Sequence, residues 1–561
     1  MLHGPLPCTA GNPEPDAKEA TVTDPATQAG AQRPLHEFLR SHARERPDHP
    51  ALVWYGATFS WAELDRASDA FAARLQALGV KPGEPVVLFL GNCPQYLVAH
   101  YGIQKVGDIV CPSSPLNKEH ELAYQVGDLR ARIIVAASDL LPVVDKVRPQ
   151  GTLAHVFVVH QADLLPESPT IEPPPELQAA RAAPRALPPG CEDFLAAMQS
   201  GARPAAVEVS MDDVALMTYT SGTTGLPKGA MLSCGNALFK TTVTAQLAGL
   251  GPDDVVLSVA PLYHIAGMLM AVDVPVLVGC TQVLLYRFDP LAALQAIDRC
   301  RVTYWYSIAP MNVACMQLPG AERFDLRSLR RNPVTSFGIT FTEPLAQQWQ
   351  AFTRGPCISC EAAYGLSETH TMDTGMPFDA IRWGTHGLPM PGVSIRIADP
   401  DTGAELPSGE MGEITLMSAG NFKGYWNKPE ATAKTLKDGW VWTGDMGKLD
   451  ADGYLTFIGR FKEMIKVSGY SVFPEEVETI LIKHPAVAQA AVIAEPDPEK
   501  GEVVKAFIVR KPGAALGADE LIAWSREHMA KYKAPKTVRF IDALPVTGSG
   551  KVLRRLLEEQ A

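Results

Sequence analysis

Residues 214–229 read Val-Ala-Leu-Met-Thr-Tyr-Thr-Ser-Gly-Thr-Thr-Gly-Leu-Pro-Lys-Gly. The first seven form an apolar run of the length of a buried strand, and its abrupt end in Ser221-Gly222-Thr223-Thr224-Gly225 requires a loop. Glycines at 222, 225 and 229 permit unusual turns and expose backbone amides. Thr220, Ser221, Thr223 and Thr224 add hydroxyls, and Lys228 sets a positive charge at the mouth. Together these suit a polyphosphate tail. The common P-loop is a different pattern, since its register needs glycine where Pro227 stands. An ordinary polar turn is the competing account, because the same residue types crowd surface loops.

Working outward from this loop, helical stretches around Leu35–Glu45 and 61–78 alternate with short apolar strands at 86–90, 109–111 and 133–136, which favours α/β layering. Residues 1–34 have no sustained period and read as a flexible leader. Eight prolines between Gln161 and Gly190 mark a surface insertion, followed by a short helix at 193–198. Beyond Met411, GEITLMS and GYLTFIG suggest a small sheet ending near Arg460. Pro474 then opens a helix, and strand, strand and helix follow, so residues 463–561 form a compact domain of their own.

The length of 561 residues calls for more than one hydrophobic core. A net charge of −12 disfavours a general nucleic-acid binder. The charge is unevenly shared: from Glu463 onward 14 basic residues face 14 acidic ones, so the whole acidic excess lies before it. Ten sparse cysteines and an N-terminus without a basic flank and apolar core indicate neither a disulfide framework nor a signal peptide. The most apolar candidate span, 266–279, is interrupted by Asp273 and Pro275 and falls short of the about 20 residues a bilayer crossing needs. A cytoplasmic protein with no membrane span is the expectation.

The run 219–229 also resembles the signature of the adenylate-forming family, which includes acyl-CoA synthetases, aryl-CoA ligases, luciferases and peptide-synthetase adenylation domains. The resemblance continues in order through Pro261-Leu262-Tyr263-His264, Tyr364-Gly365-Leu366-Ser367-Glu368-Thr369, Trp442-Thr443-Gly444-Asp445, Gly459-Arg460-Phe461-Lys462-Glu463 and Gly548-Ser549-Gly550-Lys551, covering residues 35–561. It implies an α/β protein with a large, multi-sheet N-terminal AMP-binding domain, 35–461. A small, mobile C-terminal α+β domain, 462–561, begins at a hinge near Lys462. The implied chemistry joins a carboxylic acid to ATP as an acyl adenylate, releases pyrophosphate, then passes the acyl group to a thiol.

Roles follow motif by motif. The resemblance makes Lys551 the bridge between the acid and α-phosphate oxygens, and Glu368, assisted by Thr223 or Thr224, the holder of Mg²⁺. One protein carboxylate is enough for a cation that keeps several waters. Ala363, Tyr364 and Gly365 form the adenine loop, with the Tyr364 ring stacking on the base; a buried structural tyrosine is the plainer reading of that residue. Asp445 accepts from the ribose hydroxyls, and Arg460 approaches the nucleotide. His264 is implied as a gate between acyl channel and nucleotide, against the plain reading of a packed histidine with one hydrogen bond. Lys466, Ser468 and Gly469 would face the channel after domain rotation, where Gly469 lets the pantetheine arm of CoA pass close to the backbone.

Cys357-Ile358-Ser359-Cys360 has the spacing of half a zinc site, yet no second pair accompanies it and packing is the favoured role. Near the acid pocket, Ser336-Phe337-Gly338-Ile339-Thr340-Phe341 is bulkier than the family's usual small-residue segment. Asp273, the one polar group in its run, is read as helix termination or a local backbone bond, or as a contact to a polar acid tail. A medium- or long-chain fatty acid is the leading substrate with ATP, Mg²⁺ and free CoA. The alternatives are an aryl acid, loading of a carrier protein, and a noncatalytic nucleotide-binding or acyl-binding regulator; homodimerisation is compatible with all of them.

Overall fold

The computed structural model describes residues 32–220, 226–337, 339–498, 500–547 and 552–560. The leader expected at 1–34 therefore lies outside the described residues up to position 31. The architecture is two-domain α/β, built on four large sheets.

In the first sheet, Glu192–Asp193, His155–Val159, Ile133–Ala137, Pro85–Phe89, Ile109–Pro112 and Val214–Thr220 run parallel in that spatial order, and Lys228–Ser233 closes the edge antiparallel. The second sheet places Ile358–Glu361 and Ser307–Ile308 beside Arg331–Thr335. It continues through Tyr304–Trp305, Val255–Ser258, Thr281–Leu284 and Pro50–Trp54, all parallel, to the antiparallel edge strand Ala57–Ser60. Most of these strands are continuous apolar runs buried on both faces, as parallel sheets covered by helices require. The helix Pro94–Lys105 has every residue buried, the mark of an element inside a large core. Its Tyr96 and Tyr101 hydroxyls donate to the carbonyls of Leu262 and Val272, both at 3.0 Å, which ties the core to the segment carrying His264.

A third, antiparallel sheet joins Ser394–Ala398, Gly412–Met417, Trp440–Leu449 and Leu436–Lys437, with Leu455–Arg460 on the far side of Trp440–Leu449. The small domain follows. Ile465–Val467, Tyr470–Val472, Val487–Asp497, Gly501–Arg510 and Thr537–Phe540 form its sheet, flanked by the helices Pro474–Leu481, Ala518–His528 and Arg554–Glu558.

Local chemistry explains the helix starts. Ser60 and Glu63 make a reciprocal capping box for Trp61–Ala77, and Ser233 with Asn236 does the same for Cys234–Ala248. The proline-rich insertion is not wholly irregular: Pro174 and Pro175 start the helix Pro175–Ala182, where a missing N–H costs nothing. Cys357 and Cys360 are buried beside the sheet, and burial pushes their thiols up to about 11 and about 12. No helix among the described residues is long and apolar enough to cross a membrane.

Candidate active site

Val214–Thr220 and Lys228–Ser233 pair from Val214 opposite Ser233 to Thr220 opposite Lys228, so these two strands are the arms of a hairpin on either side of the glycine-rich run in the chain. Ser221, Gly222, Thr223, Thr224 and Gly225 lie outside the described residues, as do Lys551 and residues 548–550. The Tyr219 hydroxyl donates to Asp128 at 2.8 Å, and Lys428 pairs with the other oxygen of Asp128 at 3.1 Å.

A second segment, 422–426, is laced onto the same hairpin. Met231 N–H donates to the Gly424 carbonyl, Lys423 N–H to Met231, and Trp426 N–H to Gly229. This brings the Tyr425 ring under Lys228, whose Nζ lies 4.2 Å from the ring centroid. The Tyr425 hydroxyl donates to Glu368 Oε1 at 2.6 Å. Burial pulls the Lys228 amine down while Glu368 opposes that shift and Lys462 adds to it, so all three charges lie within one electrostatic neighbourhood. Lys228, Glu368 and Lys462 are thus gathered at the hairpin, and Tyr425, which motif reading missed, holds the carboxylate.

Glu368 sits in the short turn Ser367–Thr369, within a loop that leaves the strand Ile358–Glu361. The loop closes on itself: Asp373 and Thr374 N–H both donate to the Tyr364 carbonyl, and Thr371 N–H to Leu366. His370, Thr371 and Met372 have φ of 58°, 56° and 49°, three consecutive left-handed residues without a glycine. Each such residue costs roughly 1 kcal/mol or more, so the surroundings must over-determine the run. Gly365 is needed because the run folds back over it: a Cβ there would lie 2.5 Å from the Met372 amide nitrogen.

Two buried charge clusters flank this run. Lys240 Nζ, fully buried, lies 2.6 Å from Asp373 Oδ1 and 3.2 Å from the Met372 carbonyl. Burial pulls the lysine down and pushes the carboxyl up, and the ion pair opposes both. On the other side, His370 Nε2 lies 3.4 Å and His100 Nε2 4.0 Å from the buried carboxylate of Asp273. Asp273 therefore neither ends a helix nor bonds locally. It belongs to one turn of π-helix, Leu269–Asp273, and binds a histidine 97 residues away.

Tyr364 is buried, with its ring stacked 5.8 Å from Phe457 and its hydroxyl 2.7 Å from Asp445 Oδ2. Asp445 and Arg460 face each other across adjacent strands, at 3.4 Å between Nε and Oδ1. These three implied nucleotide contacts are one cluster, in which Tyr364 supports Asp445; neighbouring Ala363 is half-buried. His264 is the N-cap of Ile265–Met268 and accepts from the Ala266 amide at 3.4 Å. Its turn is fixed by Asn92, which donates to Ala260 and accepts from Leu262 N–H.

Lys466, Ser468 and Gly469 make their contacts inside the small domain. Lys466 Nζ donates to Ser471 at 3.1 Å, and Ser468-Gly469 is a two-residue turn with φ of 52° and 87° at its two positions. Nothing lies within 4 Å of a Cβ built on Gly469, so here the glycine answers to its φ rather than to crowding. Among the described residues no cluster of three His, Cys, Asp or Glu is placed to hold a metal. The single carboxylate of Glu368 nonetheless fits a Mg²⁺ carried by phosphates, since Tyr425 orients it through Oε1 and a hard carboxylate oxygen suits a cation that keeps several waters.

Comparison with known proteins agrees with this arrangement. Residues 39–426 match the AMP-binding enzyme family, and residues 476–551 match the AMP-binding enzyme C-terminal domain. The long-chain-fatty-acid–CoA ligase of Bacillus subtilis (strain 168) is 32% identical over 533 residues, 94% of this chain and 94% of its own. A feruloyl-CoA synthase from an Amycolatopsis species is 34% identical over 516 residues, 91% of this chain and 96% of its own. The crystal structure of an anthranilate CoA ligase in complex with anthranoyl-AMP superposes with a TM-score of 0.81 at 27% identity, covering 94% of this chain and 97% of that one. The chain belongs to the AMP-binding enzyme family and is an AMP-forming acid–thiol ligase of the adenylate-forming superfamily.

Proposed function

We propose that this ligase activates an aromatic or similarly compact carboxylic acid with ATP and Mg²⁺ and passes the acyl group to free CoA. The observation that carries the acid class is the segment 336–341, which the family resemblance sets beside the acid pocket. Glu361 pins Ser336, accepting from its amide at 3.1 Å and from its hydroxyl, and Ser336 Oγ in turn accepts from Phe341 N–H at 2.8 Å. Phe341 and Ile339 pack with Val334, Ala346 and Trp383 in one apolar cluster, and we infer that this bulk shortens the acid pocket beside it. The feruloyl and anthranilate relatives support the same class. A long-chain fatty acid is the second reading, favoured by the Bacillus subtilis relative.

In the proposed mechanism the acid is already ionised at neutral pH, so its oxygen attacks the α-phosphorus without a general base, and the α–β phosphoanhydride bond breaks to release pyrophosphate. Negative charge grows on the transferring group, and Lys551 meets it. Glu368 would hold a Mg²⁺, which would supply neutralising charge to the phosphate oxygens of bound ATP; Asp445 and Arg460 secure the ribose end, and His264 gates the acyl channel. Rotation of residues 462–561 about Lys462 then withdraws Lys551 and presents Lys466, Ser468 and Gly469 to the pantetheine arm. The thiol gives up its proton and attacks the acyl carbonyl, the acyl carbon–oxygen bond to the phosphate breaks, and AMP leaves with that oxygen.

A panel of aryl and alkyl acids with ATP, Mg²⁺ and CoA, read for both pyrophosphate and thioester, tests the proposal. Aryl thioester with kcat/KM above that for the alkyl acids supports it. Preference for a long alkyl acid selects the second reading, and adenylate without thioester removes free CoA as the acceptor.

A further inference from the structure

We propose that Lys240 and Asp373 are positioning residues for nucleotide binding: their buried ion pair holds the left-handed run His370–Met372 and, through it, the carboxylate of Glu368. The proposal rests on the assignment of Glu368 to the cation-bearing phosphates made above. Both side chains are fully buried and lie beneath the site, so their action is on the loop rather than on substrate.

The helix Cys234–Ala248 reaches both segments that bracket Glu368. From one turn earlier, Asn236 donates to the Ala419 carbonyl at 2.7 Å. The stem of Lys240 passes over Gly420, where a Cβ would lie 2.4 Å from Cε, so only glycine leaves it room. Its Nζ then divides between Asp373 and the Met372 carbonyl. The other oxygen of Asp373 accepts from the Thr369 hydroxyl, next to Glu368 in the chain, while Phe422 N–H donates to the Glu368 carbonyl at 2.7 Å. Glu368 is thereby located from both sides by one helix. A matched apolar pair would fill the same space without desolvating two charges, and what it could not supply is direction. Directed bonds to one backbone carbonyl and one hydroxyl are what three consecutive left-handed residues need.

The test measures equilibrium ATP binding to the full chain across graded Mg²⁺, without acid or CoA, in the wild type, Glu368→Gln and the double variant Lys240→Met/Asp373→Leu. The double variant leaves no lone buried charge, so it is expected to fold with a melting temperature near that of the wild type. It is also expected to need about ten-fold more Mg²⁺ for half-maximal ATP binding, as disturbing the support of a metal ligand commonly does. A merely structural pair would leave that requirement unchanged. An increase in Glu368→Gln but none in the double variant overturns this proposal and leaves the role of Glu368 standing. No increase in Glu368→Gln overturns both. Should the double variant not fold, Thr369→Val, which removes the hydroxyl that bonds Asp373 and the Leu366 backbone, makes the same comparison, and an unchanged Mg²⁺ requirement there overturns the proposal.

Discussion

Lys551 and Glu361 call for different tests, the first of a proposed role in the reaction and the second of a role in the fold. Lys551, three residues before the helix Arg554–Glu558, is assigned to charge that exists only as the adenylate forms. Lys551→Ala is therefore expected to leave ATP and acid binding measurable while pyrophosphate exchange falls by about 10²–10³-fold, the usual cost of losing one such stabilising group. Normal exchange in that variant would sink the assignment. Glu361 acts on the fold. Burial pushes its carboxyl from the ordinary 4.5 up to about 7, against the hydrogen bonds from Ser336. The folded protein keeps this proton where the unfolded chain has released it, so the contribution to stability is full below about pH 4.5 and is lost as pH rises through about 7. Glu361→Gln removes the titration and keeps the shape. Its stability relative to wild type is expected to rise between pH 5 and pH 8, by on the order of 2 kcal/mol, measured by denaturant unfolding at the two values. A difference independent of pH would show that Glu361 is not the titrating group.

At the scale of elements, the Ser468-Gly469 turn separates two explanations for one glycine. With φ of 87° and open space around it, Gly469→Val strains the turn without colliding with the fold, costing roughly 1–2 kcal/mol of stability. If the pantetheine arm passes there, thioester formation falls well beyond pyrophosphate exchange in single-turnover assays; equal losses would reduce the glycine to a turn residue. The same turn shows what sequence can carry. Strands with continuous apolar runs, such as Val214–Thr220 and Ile133–Ala137, and the helix opened by Pro474 are legible because each is set by its own residues. The run His370–Met372 is not. No local preference asks for three left-handed residues; a lysine 132 residues upstream and an aspartate 97 residues upstream impose them. Lys240 is the one charged residue of the helix Cys234–Ala248, on a face shared with Ala237, Thr241 and Val243, and that is the signal the sequence offers; Tyr425 has none, because its role depends on the segment 422–426 being laced to the hairpin.

Across the whole molecule, the charge boundary at Glu463 coincides with a junction held by charge. Arg554, just beyond Lys551, is bound by Glu463, Glu475 and Glu478, so the segment carrying the implied catalytic lysine is tied to the residue after Lys462. A rotation about Lys462 would then move Lys551 with the hinge as one piece. The motif order sets the expected hinge at Lys462 but does not say what packs around it, because the contact joins residues that become neighbours only in three dimensions. Gly459, on the last strand of the large domain, carries that contact: a Cβ there would lie 2.6 Å from Glu475 Oε2 and 2.9 Å from the Phe473 ring. In Gly459→Ala the Phe473 ring and the Glu475 carboxylate must give way, or the segment that carries them must shift; in the latter case a penalty of about 1.4 kcal/mol already changes the ratio of two orientations ten-fold. If the half-reactions use different orientations, the ratio of the pyrophosphate-exchange rate to the thioester rate is expected to shift by about that factor, with the fold retained. Equal loss of both rates would mean that Gly459 serves only local packing and that one domain arrangement carries out both steps.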